Sequence, residues 1–171
     1  MNLKDYIKKN YMFVTTNTTP ITNNFTLSSG TESNLYFDIK GLMLDPIGAS
    51  MVHFELVKLI TDKIQGLPYV VVGMELGGAQ IVQFMVARGW HGAIIRKNKK
   101  EHGLRKRMEG YLISKHNNVV IVDDVITTGN TVEEVKDFIK SNILGTFCVI
   151  DRTPEQKYNS LFKEKDFNVR L

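Results

Sequence analysis

Cysteine is nearly missing from this chain. Cys148 is the single one in 171 residues, so no intramolecular disulfide can form and a reducing compartment is the natural expectation. Long hydrophobic runs are missing as well. No segment approaches membrane-spanning length and the N-terminus carries no extended apolar stretch, so a soluble, cytoplasmic protein without membrane contact is expected. Repeats, low-complexity tracts and linkers are absent, which leaves residues 1–171 as one expected domain. Two common phosphate-binding signatures, Gly-x-x-x-x-Gly-Lys-Ser/Thr and Gly-x-Gly-x-x-Gly, do not occur.

The composition is that of an ordinary globular protein, 43% hydrophobic and 23% charged, with enough length to bury a full core. Its net charge of +4 is unevenly placed. Arg96, Lys97, Lys99, Lys100, Arg105, Lys106 and Arg107 stand against the single acid Glu101, a local charge of +6, and the rest of the chain carries −2. This describes one cationic loop on a near-neutral body and argues against a nucleic-acid-binding surface.

Residues 119–131 are the most informative stretch. Val119-Val120-Ile121-Val122 fits a strand buried on both faces, as in a parallel sheet. Asp123 and Asp124 then emerge at its C-terminal end, where open α/β sheets bind ligands. The run Val125-Ile126-Thr127-Thr128-Gly129-Asn130-Thr131 leads into a helix expected over residues 132–142, with apolar positions at Val132, Val135, Phe138 and Ile139. A phosphate would sit at that helix start, held by free N–H donors and the helix dipole. Thr131 and Glu134 also have the spacing of a capping box, which would make the turn purely structural. Two adjacent carboxylates at the end of a buried strand remain unexplained by that alternative, because burying them is costly without a partner.

Elsewhere the spacing predicts a short helix over residues 1–9 and loop over 15–24. A helix over 47–65 would place Val52, Leu56, Leu59 and Ile64 on one face. Strands are expected at 69–73, 92–95 and 146–150, with a helix at 79–88. Strands alternating with helices imply an α/β fold: a central parallel sheet with flanking helices, and a small hood from the N-terminal region and the tail after Arg152.

The segment 123–131 resembles the signature of type I phosphoribosyltransferases, which bind phosphoribosyl diphosphate (PRPP). Other stretches narrow the resemblance to orotate phosphoribosyltransferases. Residues 25–38 (Phe25-Thr26-Leu27-Ser28-Ser29-Gly30-Thr31-Glu32-Ser33-Asn34-Leu35-Tyr36-Phe37-Asp38) are similar to that family's base-pocket border. Arg96-Lys97-Asn98-Lys99-Lys100-Glu101-His102-Gly103 is similar to its Arg-Lys-x-x-Lys-x-His-Gly loop, which closes with Glu109-Gly110, and Ile150-Asp151-Arg152 resembles its hydrophobic-Asp-Arg element. Two positions depart from the pattern. Ser28 stands where many members have Lys, and Leu76-Gly77 where many bacterial members have Tyr-Lys, although the run Gly73-Met74-Glu75-Leu76-Gly77-Gly78 keeps glycines that let N–H groups approach pyrophosphate.

The resemblance implies transfer of the phosphoribosyl group of PRPP to N1 of orotate, a step of UMP biosynthesis. Asp123 and Asp124 would hold the ribose hydroxyls and residues 125–131 the 5-phosphate. Arg96, Lys97, Lys100 and His102 would contact PRPP, with Lys100 and His102 neutralising the departing pyrophosphate. Tyr36, Phe37, Thr127 and Arg152 would bind orotate. Magnesium is implied as a cofactor held mainly by PRPP oxygens and water, with no dedicated protein ligand. A homodimer whose 96–110 loop serves the neighbouring site is implied too. A phosphoribosyltransferase for another base, or a PRPP-sensing regulator on the same fold, would share the residue 123–131 signature.

Overall fold

The computed structural model describes residues 1–15, 25–26, 30, 32–97 and 106–167. Helix α1 (Leu3–Asn10) forms where expected, with the Asn2 side chain accepting from the Asp5 N–H at 2.9 Å and Leu3 and Ile7 buried. A hood of short antiparallel pairs follows. In it β1 (Met12–Val14) pairs with β4 (Leu35–Phe37), and β2 (Phe25–Thr26) with β3 (Glu32–Ser33). Most of the loop expected at 15–24 lies outside the described residues.

Asp38 caps the short helix α2 (Ile39–Leu42) by accepting from the Gly41 N–H at 2.9 Å. Asp45 and Pro46 start α3 (Pro46–Ile64), since a side-chain acceptor and a fixed φ suit a first turn with free donors. Its buried face is Val52, Leu56, Ile60 and Ile64, and Leu59 is only half-buried.

The sheet strands are β5 (Val70–Met74), β6 (Gly92–Ile95), β7 (Met108–Gly110), β8 (Asn118–Ile126), β9 (Asn142–Asp151) and β10 (Asn159–Lys163). Their spatial order is β10-β9-β8-β5-β6-β7, and all neighbours are parallel except β6 and β7. Helix α4 (Gly77–Val86) links β5 to β6, and α5 (Asn130–Ile139) links β8 to β9. The core forms on both sheet faces. Val120 and Val122 pack with the side chains of α1, α3 and α4, whereas Val119 and Ile121 pack with Val132 and Val135 of α5.

Several expectations need correction. Strand β8 runs through the two acids to Ile126 instead of stopping before them. Helix α5 begins at Asn130 and ends at Ile139, because Lys140 turns left-handed (φ 45°) and Asn142 already belongs to β9. The tail is only partly hood. It adds β10 to the sheet edge, and among the described residues the 3-10 helix Glu164–Phe167 reaches the hood, where the Phe167 ring lies 4.8 Å from that of Phe37.

Strands β5 and β8 lie side by side, but the chain leaves them toward opposite sheet edges. A crevice opens at their carboxyl ends, the place where this architecture binds ligands.

Candidate active site

The acids sit at that crevice. Successive strand residues point to opposite faces, so β8 sends Asp123 and Asp124 into different clefts. Asp123 lines a cleft of about 730 Å³ together with Lys97, Glu134 and all of residues 125–131. Asp124 lines one of about 600 Å³ with Thr26, Tyr36, Phe37, Lys40, Val125, Thr127 and Arg152. Both acids are buried, and the Asp124 N–H donates to Asp123 Oδ1 at 3.0 Å.

The first cleft is built to meet an anion. Gly129 has φ +83°, and a Cβ there would collide with the Tyr158 hydroxyl, so only glycine fits. Gly129 is also the residue that precedes the first turn of α5, and it brings no side-chain cap to the helix. Thr131 and Glu134 therefore do not form a capping box; Glu134 instead forms an ion pair with Arg107. Apart from the Asn130 N–H, which donates to Thr128 Oγ1 at 3.4 Å, the first turn offers its N–H groups to whatever occupies the cleft.

The second cleft has an aromatic wall and a cationic end. Tyr36 packs against Phe25 with ring centroids 5.4 Å apart, while Phe37 is largely a core residue beneath it. The Arg152 guanidinium is held by three partners, Glu164 Oε2 at 2.5 Å, Ser33 Oγ at 3.1 Å and the Leu35 carbonyl at 3.2 Å. A further clamp fixes the turn behind it. Fully buried Asp151 accepts from the Thr153 hydroxyl at 2.6 Å, the Tyr158 N–H at 3.0 Å and Lys163 Nζ at 2.9 Å. The Thr153 and Lys163 hydrogen bonds outweigh burial and hold the Asp151 carboxyl below its ordinary range.

Of the cationic loop, Arg96-Lys97 and Lys106-Arg107 are among the described residues. Its base is tied by acids: Arg96 pairs with Glu109 at 3.4 Å and Glu75 at 3.7 Å, and the Lys97 N–H donates to Glu75 at 3.1 Å. Lys97 reaches the cleft, whereas Arg96 is not among the lining residues of either one. Lys100 and His102 lie outside the described residues.

The phosphoribosyl transferase domain family matches residues 51–166. The chain is 35% identical to the orotate phosphoribosyltransferase of Pyrococcus horikoshii over 79% of this chain and 74% of the relative. It is 34% identical to that of Methanocaldococcus jannaschii, over 86% and 81%. The chain belongs to the orotate phosphoribosyltransferase family.

Among solved structures, the fold is shared with the orotate phosphoribosyltransferase of Aeropyrum pernix (TM-score 0.70, 20% identity, 96% of this chain and 95% of the other). It is also shared with the Mycobacterium tuberculosis orotate phosphoribosyltransferase in complex with PRPP (TM-score 0.66, 21% identity, 96% of each chain).

Within this phosphoribosyltransferase fold, the sequence reading missed Lys40, Tyr158 and Glu164, which grips Arg152 together with Ser33. Lys40 donates to Asp124 Oδ2 at 2.7 Å across 84 positions of sequence, a contact no local pattern announces. Its position just after the aromatic pair Tyr36-Phe37 was the available signal.

Burial, and then the neighbouring charge of Asp124, push the Asp123 carboxyl well above its ordinary range. Its protonated form is favoured in the folded state, so its contribution to stability is fully present below the unfolded value of about 3.9 and is lost as pH rises through the folded value. Holding this carboxyl buried therefore costs stability at neutral pH relative to an unfolded chain in which it ionises freely. Asp123→Asn keeps an oxygen for the Asp124 N–H and is expected to raise Tm at pH 7 by about 2–4 °C for each kcal/mol relieved. Near pH 4 the gain should vanish. An unchanged or lowered Tm at pH 7, read by calorimetry at both pH values, would contradict the strain assigned to Asp123.

Proposed function

We propose that this chain transfers the 5-phosphoribosyl group of PRPP to N1 of orotate, giving orotidine 5-monophosphate and pyrophosphate in pyrimidine biosynthesis. The observation that carries this reading is the pair of clefts divided by Asp123 and Asp124. One is a glycine-bearing loop at a helix start, the other an aromatic cleft ending in a held guanidinium. A 5-phosphate fits the first, the ribose diol fits the acids, and a planar anionic base fits the second.

Attack at the anomeric carbon breaks its bond to pyrophosphate, building positive charge on the ribose and negative charge on the leaving group. Asp123 and Asp124 orient the sugar and stabilise its developing cation. Lys100 and His102, with Lys97 and Arg96 at the loop base, neutralise the pyrophosphate in a closed site. Tyr36 and Thr127 border the base, and Arg152 meets its carboxylate.

Magnesium, when bound, offsets phosphate charge. A metal held mainly by PRPP oxygens and water belongs to the same proposal, and Asp124 is engaged by Lys40. The same proposal includes one domain over residues 1–171, cytoplasmic residence, and a homodimer whose 96–110 loop serves the neighbouring site. Among the described residues no helix is long and apolar enough to cross a membrane.

Base choice tests the reading. Orotate should be consumed in the presence of PRPP while uracil and hypoxanthine are left. Efficient use of uracil or hypoxanthine would instead favour a phosphoribosyltransferase for another base.

A further inference from the structure

Asp124 is held from two sides. On one, a Cβ on Gly77, the first residue of α4, would overlap its carboxylate, so the glycine is what admits the acid to this position. On the other, Lys40 Nζ lies 2.7 Å from Oδ2. The Lys40 side chain is 44% exposed and that of Asp124 9%, so the cation stands at the cleft wall and the anion beneath it. Lys40 itself is anchored, because α2 is capped by Asp38 and the Lys40 carbonyl accepts from Gln80 Nε2 of α4 at 3.2 Å. Burial pulls the ammonium down, but the charge of Asp124 and its hydrogen bond outweigh this and hold Lys40 above its ordinary value.

We propose that Lys40 is a positioning residue of the substrate site: it fixes the Asp124 carboxylate so that the remaining oxygen faces the ribose diol. This rests on the reading of the acid pair as the ribose site. Two adjacent buried carboxylates repel each other, and Lys40 is the cation that the described residues supply to Asp124 at hydrogen-bond distance. With it in place Asp124 is a charged, oriented acceptor before any ligand arrives, so diol binding requires no reorganisation. Because Lys40 lies just beyond Tyr36 and Phe37, the same ion pair ties the segment carrying the aromatic wall to the carboxyl end of β8.

The experiment compares PRPP, ribose 5-phosphate and inorganic phosphate by calorimetry on wild type, Lys40→Met, Lys40→Gln and Lys40→Arg. PRPP and ribose 5-phosphate carry the diol; inorganic phosphate needs only the 127–131 loop. Loss of a charge-assisted contact should weaken the two sugar ligands roughly 10- to 100-fold in Lys40→Met and Lys40→Gln, with inorganic phosphate unchanged. Lys40→Arg, which keeps the charge and donors, should recover most of the loss. Unchanged sugar-ligand affinity in either neutral variant overturns the proposal, and so does an equal loss for inorganic phosphate, which would make Lys40 a diffuse positive charge. Wild-type protein that binds neither sugar ligand would overturn the ribose-site reading itself, a failure distinct from that of Lys40.

Discussion

Asp123→Asn/Asp124→Asn protein is expected to retain its fold and lose PRPP binding. Both carboxyl groups are buried at the end of β8, Asp123 with its ionisation held back until a ligand diol donates to it, and hydrogen bonds to charged groups contribute about 1.5–3 kcal/mol each. Losing both charges should weaken PRPP by roughly 10²- to 10⁴-fold if the two losses add. A neutral amide in place of the Asp124 carboxylate could not serve as a counter-ion to Lys40, so the second substitution also loosens the ion pair at the cleft wall. Titration calorimetry on the double variant, with circular dichroism to confirm folding, reads the result. Unchanged PRPP affinity in folded protein would remove the ribose site from the acid pair.

The proposed base site carries the second large effect. Arg152→Ala is expected to raise KM for orotate roughly 10- to 150-fold, the equivalent of one lost charged contact, while KM for PRPP changes much less. The guanidinium also ties Ser33, Leu35 and Glu164 together, so truncation should cost stability as well. Arg152→Lys separates the two consequences. It keeps a positive charge but loses the planar fork, and should show the same selective rise in orotate KM with a smaller loss of Tm. Equal effects on both substrates would indicate that Arg152 acts through the fold alone.

How far the sequence revealed this site depended on whether the signal was local. The β-branched run at 119–122 announces a strand buried on both faces because a strand between two layers must be apolar on successive residues. The acids and the hydroxyl-rich turn follow it directly, so the elements proposed to hold the ribose and phosphate can be read along the chain. Strand β7 escaped because Met108-Glu109-Gly110 is too short to show alternation, and β10 because all five of its residues are half-buried at a sheet edge. The capping-box spacing of Thr131 and Glu134 misled for a physical reason. Gly129 already leads into the helix from a left-handed conformation, and Glu134 is drawn to Arg107.

Long-range contacts were invisible for a different reason. Lys40 meets Asp124, Arg152 meets Ser33, and Tyr158 lies under Gly129, each pairing residues that only the sheet topology brings together. Arg152 could be read from Ile150-Asp151-Arg152 as a guanidinium for a carboxylate. Its engagement by Glu164 could not, because that partner enters from the tail after β10.

The central claim is that one crevice joins PRPP to orotate. It is tested most directly by incubating the protein with PRPP, orotate and magnesium and following orotate absorbance and pyrophosphate release together. The account expects both signals, one pyrophosphate per orotate consumed, and no orotate loss when PRPP is omitted. Tight PRPP binding with no orotate consumed and no pyrophosphate released would contradict it and mark the protein as a PRPP sensor.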